Sequence, residues 1–332
     1  MKILALVLAG GKGARLHPLT VKHAKPALPF VNGYRIIDFV LSNLVNSGIS
    51  SIYVLAQYKP HSLIEHLTAA WAPHFIGKDC FLRVILPGTT GGAGSFKGTA
   101  DAVYQNLHLV ERHQPDLVAV FAADHVYRMD VRQMADFHQK CDADASVAAV
   151  PVPIEKASSF GVMVTDHDGR VREFQEKPVK PAAIHADPDL AYVSMGNYLF
   201  SPGLLVELLE DACRRNGTDF GRHIMPQLAQ DHRVMAYDFA RNRIPGVQPY
   251  EERGYWRDIG TLDAYQAAQR DVMGPAPRFN LMNSAWPIRG GDIPRRRKMI
   301  GLAAGNDIRM MESKAGWPAP AARPSAGIGR GC

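Results

Sequence analysis

The chain has 332 residues, 46% hydrophobic and 21% charged, ordinary globular usage that excludes disordered, collagen-like and disulfide-framework classes. At roughly 100 to 200 residues per domain, the length suggests about two domains. The net charge of +6 sits at one end: from Arg289 onward there are nine Lys/Arg against three Asp/Glu, whereas residues 1 to 288 balance, so the body lacks the basic face that marks a nucleic-acid partner.

The first seven-residue apolar run, Ile3–Ala9, reads as a strand. It leads straight into a Gly/Lys/Arg loop with no cleavage site, so a secretory leader is not expected. A helix is predicted over 35–46, stopped by Gly48, then a strand at Ser51–Ala56 and a helix over 61–70. A strand over 81–86, a helix over 99–110 and a strand at Leu117–Ala122 complete four β/α units. Val131–Lys140 reads as helix and 145–150 as a fifth strand, the pattern of a Rossmann-like, doubly wound α/β sheet.

From Gly161 the texture changes. Strands at Gly161–Thr165 and 171–175 flank Asp166-His167-Asp168-Gly169, a hairpin turn signal. A strand over 193–200 follows, then a helix at Pro202–Arg214 with Ser201 as N-cap and a last helix over 261–273. Gly274-Pro275-Ala276-Pro277 reads as a boundary, giving a catalytic domain at 1–275 and a linker with an irregular basic tail at 276–332.

No window reaches the ~18 to 20 apolar residues that span a bilayer, so no membrane association is expected. Cys80, Cys141, Cys213 and Cys332 are far apart and form no CxxC pair, which fits a reduced, cytoplasmic chain.

The loop Gly10-Gly11-Lys12-Gly13-Ala14-Arg15 directly after the first strand suits a polyphosphate, because glycines free backbone N–H groups and Lys12 and Arg15 add positive charge. It is neither a complete dinucleotide fingerprint nor a P-loop, since the third glycine and the Gly-Lys-Ser/Thr ending are both missing. Lys22 and Lys25 could add charge to the same site or be solvated surface lysines. Asp124 follows the strand Leu117–Ala122, where α/β sheets place ligands, and a carboxylate there can hold Mg²⁺. Asp258 stands just before a predicted helix and reads either as a capping acid or as a second ligand. Glu176-Lys177 is either a surface ion pair or a sugar-phosphate pair, in which the carboxylate accepts from hydroxyls and the ammonium faces the phosphate.

Taken in order, these segments resemble the sugar-nucleotide pyrophosphorylases. The resemblance runs from Leu6-Val7-Leu8-Ala9-Gly10-Gly11 through Ala24-Lys25-Pro26-Ala27, Gly98-Thr99-Ala100-Asp101 and Ala123-Asp124-His125-Val126-Tyr127. It continues through Phe160-Gly161-Val162-Met163, Glu176-Lys177-Pro178 and Tyr255-Trp256-Arg257-Asp258, and reaches Trp286-Pro287-Ile288. Arg35-Ile36-Ile37-Asp38-Phe39 and Ser194-Met195-Gly196 favour the bacterial glucose-1-phosphate adenylyltransferase branch.

That resemblance implies a nucleotidyltransferase domain with a mixed central sheet, in which ATP and glucose 1-phosphate react with Mg²⁺ to give ADP-glucose for glycogen synthesis. It implies a metal held by Asp124 and Asp258, a leaving diphosphate stabilised by Arg15 and Lys25, and a nucleotide loop containing Gly10, Gly11 and Gly13. Gln57 falls on the adenine side, Lys177 on the sugar phosphate, and Phe96, Gly161, Glu176 and Ser194 in the sugar pocket.

The sequence also departs from the family. Phe96 replaces a tyrosine, His223 replaces the last acid of Asp-Phe-Gly-Lys-Asp, and the loop 87–95 lacks the residues associated with effector signalling. Nothing from Arg289 onward carries the hexapeptide repeat of the family's C-terminal left-handed β-helix, so the expected homotetramer would lack that support. The main reading is an active adenylyltransferase; the alternatives are a catalytically impaired or regulatory nucleotide-binding subunit, or another sugar-1-phosphate nucleotidylyltransferase.

Overall fold

The computed structural model describes residues 1–75, 77, 80–89 and 94–291. The tail from 292, including Cys332, lies outside the described residues, as does part of the loop 87–95. No described helix is long and apolar enough to cross a membrane.

The first half alternates as the apolar runs predict. Strand β1 (Ile3–Ala9) is followed by α1 (Ile37–Asn46), β2 (Ser51–Ala56), α2 (His61–His66), β3 (Phe81–Ile85), α3 (Thr99–Tyr104), α4 (Leu107–His113) and β4 (Leu117–Ala122). Then come β5 (His125–Tyr127), α5 (Val131–Lys140), β6 (Ala145–Pro153), α6 (Ile154–Ala157), β7 (Gly161–Thr165), β8 (Val171–Glu176) and β9 (Leu190–Phe200). The last elements are α7 (Pro202–Arg214), α8 (Met225–Asp231), β10 (Val234–Asp238), β11 (Trp256–Asp258) and α9 (Leu262–Asp271).

The main sheet has the order β10-β6-β9-β4-β1-β2-β3. It is mixed: β4, β1, β2 and β3 are parallel, β9 runs antiparallel between β4 and β6, and β10 is parallel to β6. Alternation along β1 explains why both faces are apolar. Ile3, Ala5, Val7 and Ala9 join one core and Leu4 and Leu6 the other, and β4 divides likewise between Leu117, Ala119, Phe121 and Val118, Val120. The hairpin β7–β8 adds to β9, and its turn is held by Asp166, whose carboxylate accepts from the N–H groups of Asp168 and Arg170.

Several expectations change. The helix predicted over 99–110 is two, broken at Gln105-Asn106, where the buried Asn106 side chain donates to the Ala102 carbonyl at 2.8 Å and competes with the helical ladder. The helix over 61–70 ends at His66 and continues as a π-helical turn, Leu67–Trp71. The helix predicted from residue 35 begins at Ile37.

The chain also does not leave the body at Gly274–Pro277. Phe279, Leu281, Trp286 and Ile288 are buried, most of them in a third core with Leu28, Phe30, Tyr34 and Phe39. Polar anchors fix this return: Tyr34 donates to the Ile288 carbonyl, Asn46 to that of Pro287, and Ser42 accepts from the Arg289 N–H.

Candidate active site

The glycine loop leaves the carboxyl end of β1. Gly13 has φ 61°, and a Cβ there would stand 2.9 Å from Thr20 and 3.1 Å from the Lys25 stem. The bare backbone thus lets the loop lie against the segment that carries Lys25. Gly10 lies beside Gln57, and Gly11 faces open space. Lys12 and Arg15 are exposed, with the Arg15 guanidinium next to Gly260, two residues past Asp258.

Lys25 opens a short 3₁₀ turn, Lys25–Ala27, and is buried. Its Nζ donates to Asp124 Oδ2 at 2.7 Å and to Asp258 Oδ1 at 3.3 Å. The two acids are 134 positions apart and meet because β5 and β11 pair antiparallel with His125 opposite Asp258. Helix α1 steadies this corner: Asn43 bonds the Tyr127 carbonyl and the Met129 N–H, and Ser47 accepts from the Val131 N–H.

Burial works against the Lys25 charge, but the carboxylates of Asp124 and Asp258 outweigh it and hold its pKa above the usual lysine value. Burial likewise opposes ionisation of Asp124, yet Lys25 and then His125 pull it well below the usual carboxylate range. Both groups are therefore charged at neutral pH.

A cavity of about 510 Å³ opens beside this ion pair. Among the residues expected at the site, Gly10, Gly11, Lys25, Gln57, Phe96, Asp124 and Glu176 line it. Gln57 is committed to the wall, since its side-chain oxygen accepts from the Phe96 N–H and its Nε2 donates to the Phe96 carbonyl at 3.2 Å. Glu176 pairs with Lys177 at 2.9 Å, and the Lys177 side chain is 60% exposed at the rim of the sheet.

Gly13, Arg15, Gly161, Lys177, Ser194 and Asp258 do not line the cavity itself. Asp258 reaches it through Lys25. Gly161 packs under Phe174 and Glu176, and Ser194 accepts from the Gly196 N–H at 3.1 Å, supporting a wall residue from behind.

Sequence reasoning did not single out Gly98, Thr99, Tyr198, Asp219, Phe220 or Gly221 as site residues, yet all line the cavity. Their link is tertiary. A Cβ on Gly98 would overlap the Thr218 carbonyl, the Thr99 hydroxyl donates to Asp219 at 3.0 Å and accepts from the Phe220 N–H, and Gly221 abuts Glu176. Burial pushes the Tyr198 phenol up to about 12. The departure at His223 gains a structural role, because its Nδ1 accepts from the N–H groups of Thr218 and Asp219, as a carboxylate would.

One carboxylate oxygen each of Asp124 and Asp258 and the Nε2 of His125 lie within 4.8 Å of one another, a donor set that suits a divalent cation. A cation already bonds both acids here, in the form of the Lys25 ammonium.

The nucleotidyl transferase family model matches residues 4–274. The chain belongs to the nucleotidyl transferase family. As a nucleotidyl transferase it is similar to curated relatives across most of its length. It is 53% identical over 288 residues to a glucose-1-phosphate adenylyltransferase of Thermodesulfovibrio yellowstonii, covering 86% of this chain and 70% of that protein. It is 48% identical over 301 residues to the enzyme of that name from Thermus thermophilus, covering 88% and 72%. It is also 48% identical over 290 residues to one from an Anaeromyxobacter species, covering 86% and 70%. The mixed sheet is thus that of a nucleotidyltransferase enzyme.

Proposed function

We propose that the chain transfers the adenylyl group of ATP to glucose 1-phosphate, forming ADP-glucose and diphosphate for glycogen synthesis. The observation that carries this reading is one cavity lined by the glycine loop, by the Lys25–Asp124 pair and by Glu176, joined to relatives that bear that enzyme's name.

The chemistry asks little of a protein base. The phosphate oxygen of glucose 1-phosphate is already anionic and attacks the α-phosphorus of ATP; the new O–P bond forms as the bond to the β-phosphate oxygen breaks. Diphosphate leaves with that electron pair. The protein's work is in-line positioning and charge neutralisation. Asp124 and Asp258 would hold Mg²⁺, which when bound neutralises the α-phosphate and the incoming phosphate. Arg15 and Lys25 stabilise charge on the departing diphosphate. The glycine loop Gly10–Gly13 offers N–H groups to the triphosphate, and Gln57 lies on the adenine side.

Lys177 holds the sugar phosphate, Glu176 accepts from sugar hydroxyls, and Gly161 and Ser194 shape that end of the pocket. Phe96 contributes a ring without the hydroxyl a tyrosine would bring. The proposed assembly is a homotetramer, and a mass measurement in solution reads it directly.

The test is diphosphate release with ATP, Mg²⁺ and glucose 1-phosphate, with Asp124→Ala as control and UTP, dTTP and GTP alongside. Turnover fastest with ATP and lost in the control supports the assignment. A parent chain no faster than Asp124→Ala overturns it.

A further inference from the structure

The Lys25 ammonium bonds both acids of the candidate metal corner, at 2.7 and 3.3 Å, and only 10% of its side chain is exposed. It therefore stands where a cation shared by Asp124 and Asp258 would stand. An ammonium and a divalent ion cannot both take this position, because at contact distance and with little water between them their repulsion is poorly screened.

Lys25 is also placed to move without the backbone moving. Its main chain is set by the 3₁₀ turn and by Pro26, and its stem is packed against Gly13, which leaves the distal torsions to carry the ammonium. Its outlet is the cavity that it lines together with Gly10, Gly11 and Lys12.

We infer that Lys25 is the resident counter-ion of the Asp124–Asp258 pair, that it keeps a free divalent cation out, and that the metal enters with the triphosphate, whose oxygens draw the ammonium away. This rests on the proposed adenylyl transfer only for the identity of the triphosphate. The consequence is an order of binding. Metal alone does not load the site, and the nucleotide both delivers the ion and supplies oxygens that a small hard cation prefers to an all-protein cage.

Mn²⁺ is the probe, read in the full chain by loss of the free-ion EPR signal, with water-proton relaxation separating protein-bound ion from ion on free nucleotide. Without nucleotide, the parent should bind Mn²⁺ weakly and Lys25→Met at least tenfold more tightly. Adding a non-hydrolysable ATP analogue should bring the parent to tight binding. Lys25→Met combined with Asp258→Asn should lose the gain. Lys25→Gln serves as a second uncharged variant, and a melting curve shows that each is folded.

The inference is overturned if the folded variants bind Mn²⁺ no more tightly than the parent, or if the double variant keeps the gain. It is also overturned if the parent takes up one equivalent at micromolar free Mn²⁺ without nucleotide, a result that needs no variant. Diphosphate release is assayed on the same preparations. Tighter Lys25→Met binding without parental turnover would remove the adenylyl-transfer reading and leave the counter-ion role standing; turnover with unchanged affinity would do the reverse.

Discussion

Asp124 and Asp258 differ in how plainly their places could be read. Asp124 follows a buried strand at the end where α/β sheets bind ligands, whereas Asp258 lies in a three-residue strand with no apolar run around it. Replacing Asp124 by Ala should lower turnover by about 10³-fold or more, because it removes the group that places charge at the reacting phosphate; diphosphate release measures this. At the sugar end, Gly221→Ala should raise the KM for glucose 1-phosphate about tenfold and change kcat less, since the new Cβ would displace the Glu176 carboxylate. Steady-state kinetics in sugar phosphate separates the two parameters. Neither Gly221 nor Asp219 could be assigned from the chain alone, because their neighbours Glu176 and Thr99 lie 45 and 120 positions away.

Among the elements, α5 shows how a local signal and a tertiary one combine. Its amphipathic period is visible in the sequence, and its N-cap, Asp130, accepts from the Arg132 N–H and side chain and from Gln133. Burial opposes the charge on Asp130, but these hydrogen bonds outweigh it and hold the carboxyl below its ordinary value. Asp130→Ala should therefore cost about 1 to 2 kcal/mol at pH 7. Because the folded pKa is depressed, that stabilisation is complete above the unfolded pKa of about 3.9 and is lost as pH falls through the lower, folded value. Urea melts of parent and variant at pH 7 and pH 3 should show the difference shrinking at the lower pH.

Strands β5, β10 and β11 were not legible, and β9 begins three residues before its predicted start. At three residues each, β5 and β11 offer too little alternation to register as a period. The break between α3 and α4 is similar in kind: the residues of 99–110 have helical spacing, and it is the bond from Asn106 to the Ala102 carbonyl that divides them.

At the scale of the whole molecule, residues 276–291 are part of the folded body and not a linker. Phe279, Leu281, Trp286 and Ile288 are each under a tenth exposed, and burying side chains of this size is worth roughly 1.5 to 3 kcal/mol apiece. A chain ending at 275 should lose more than about 5 kcal/mol relative to one ending at 291, comparable to the whole stability of many domains. Thermal melts and solubility of the two would show it, with the shorter chain unfolded or aggregated and the longer one cooperative.

By itself the sequence determined the alternating buried strands and helices, the glycine loop after β1 and the lysine and first acid that follow, because apolar period, glycine and charge are local properties of the chain. The motifs further along carried the family resemblance as far as Trp286-Pro287-Ile288, and the nucleotidyl transferase match over residues 4–274 agrees with it. Only the tertiary structure decided that β9 enters the sheet antiparallel, that β5 and β11 bring Asp124 and Asp258 to one ammonium, and that the segment after Gly274 returns to Tyr34 and α1. These depend on pairings between residues far apart in the chain, where burial and charge are shared by partners that no local pattern names.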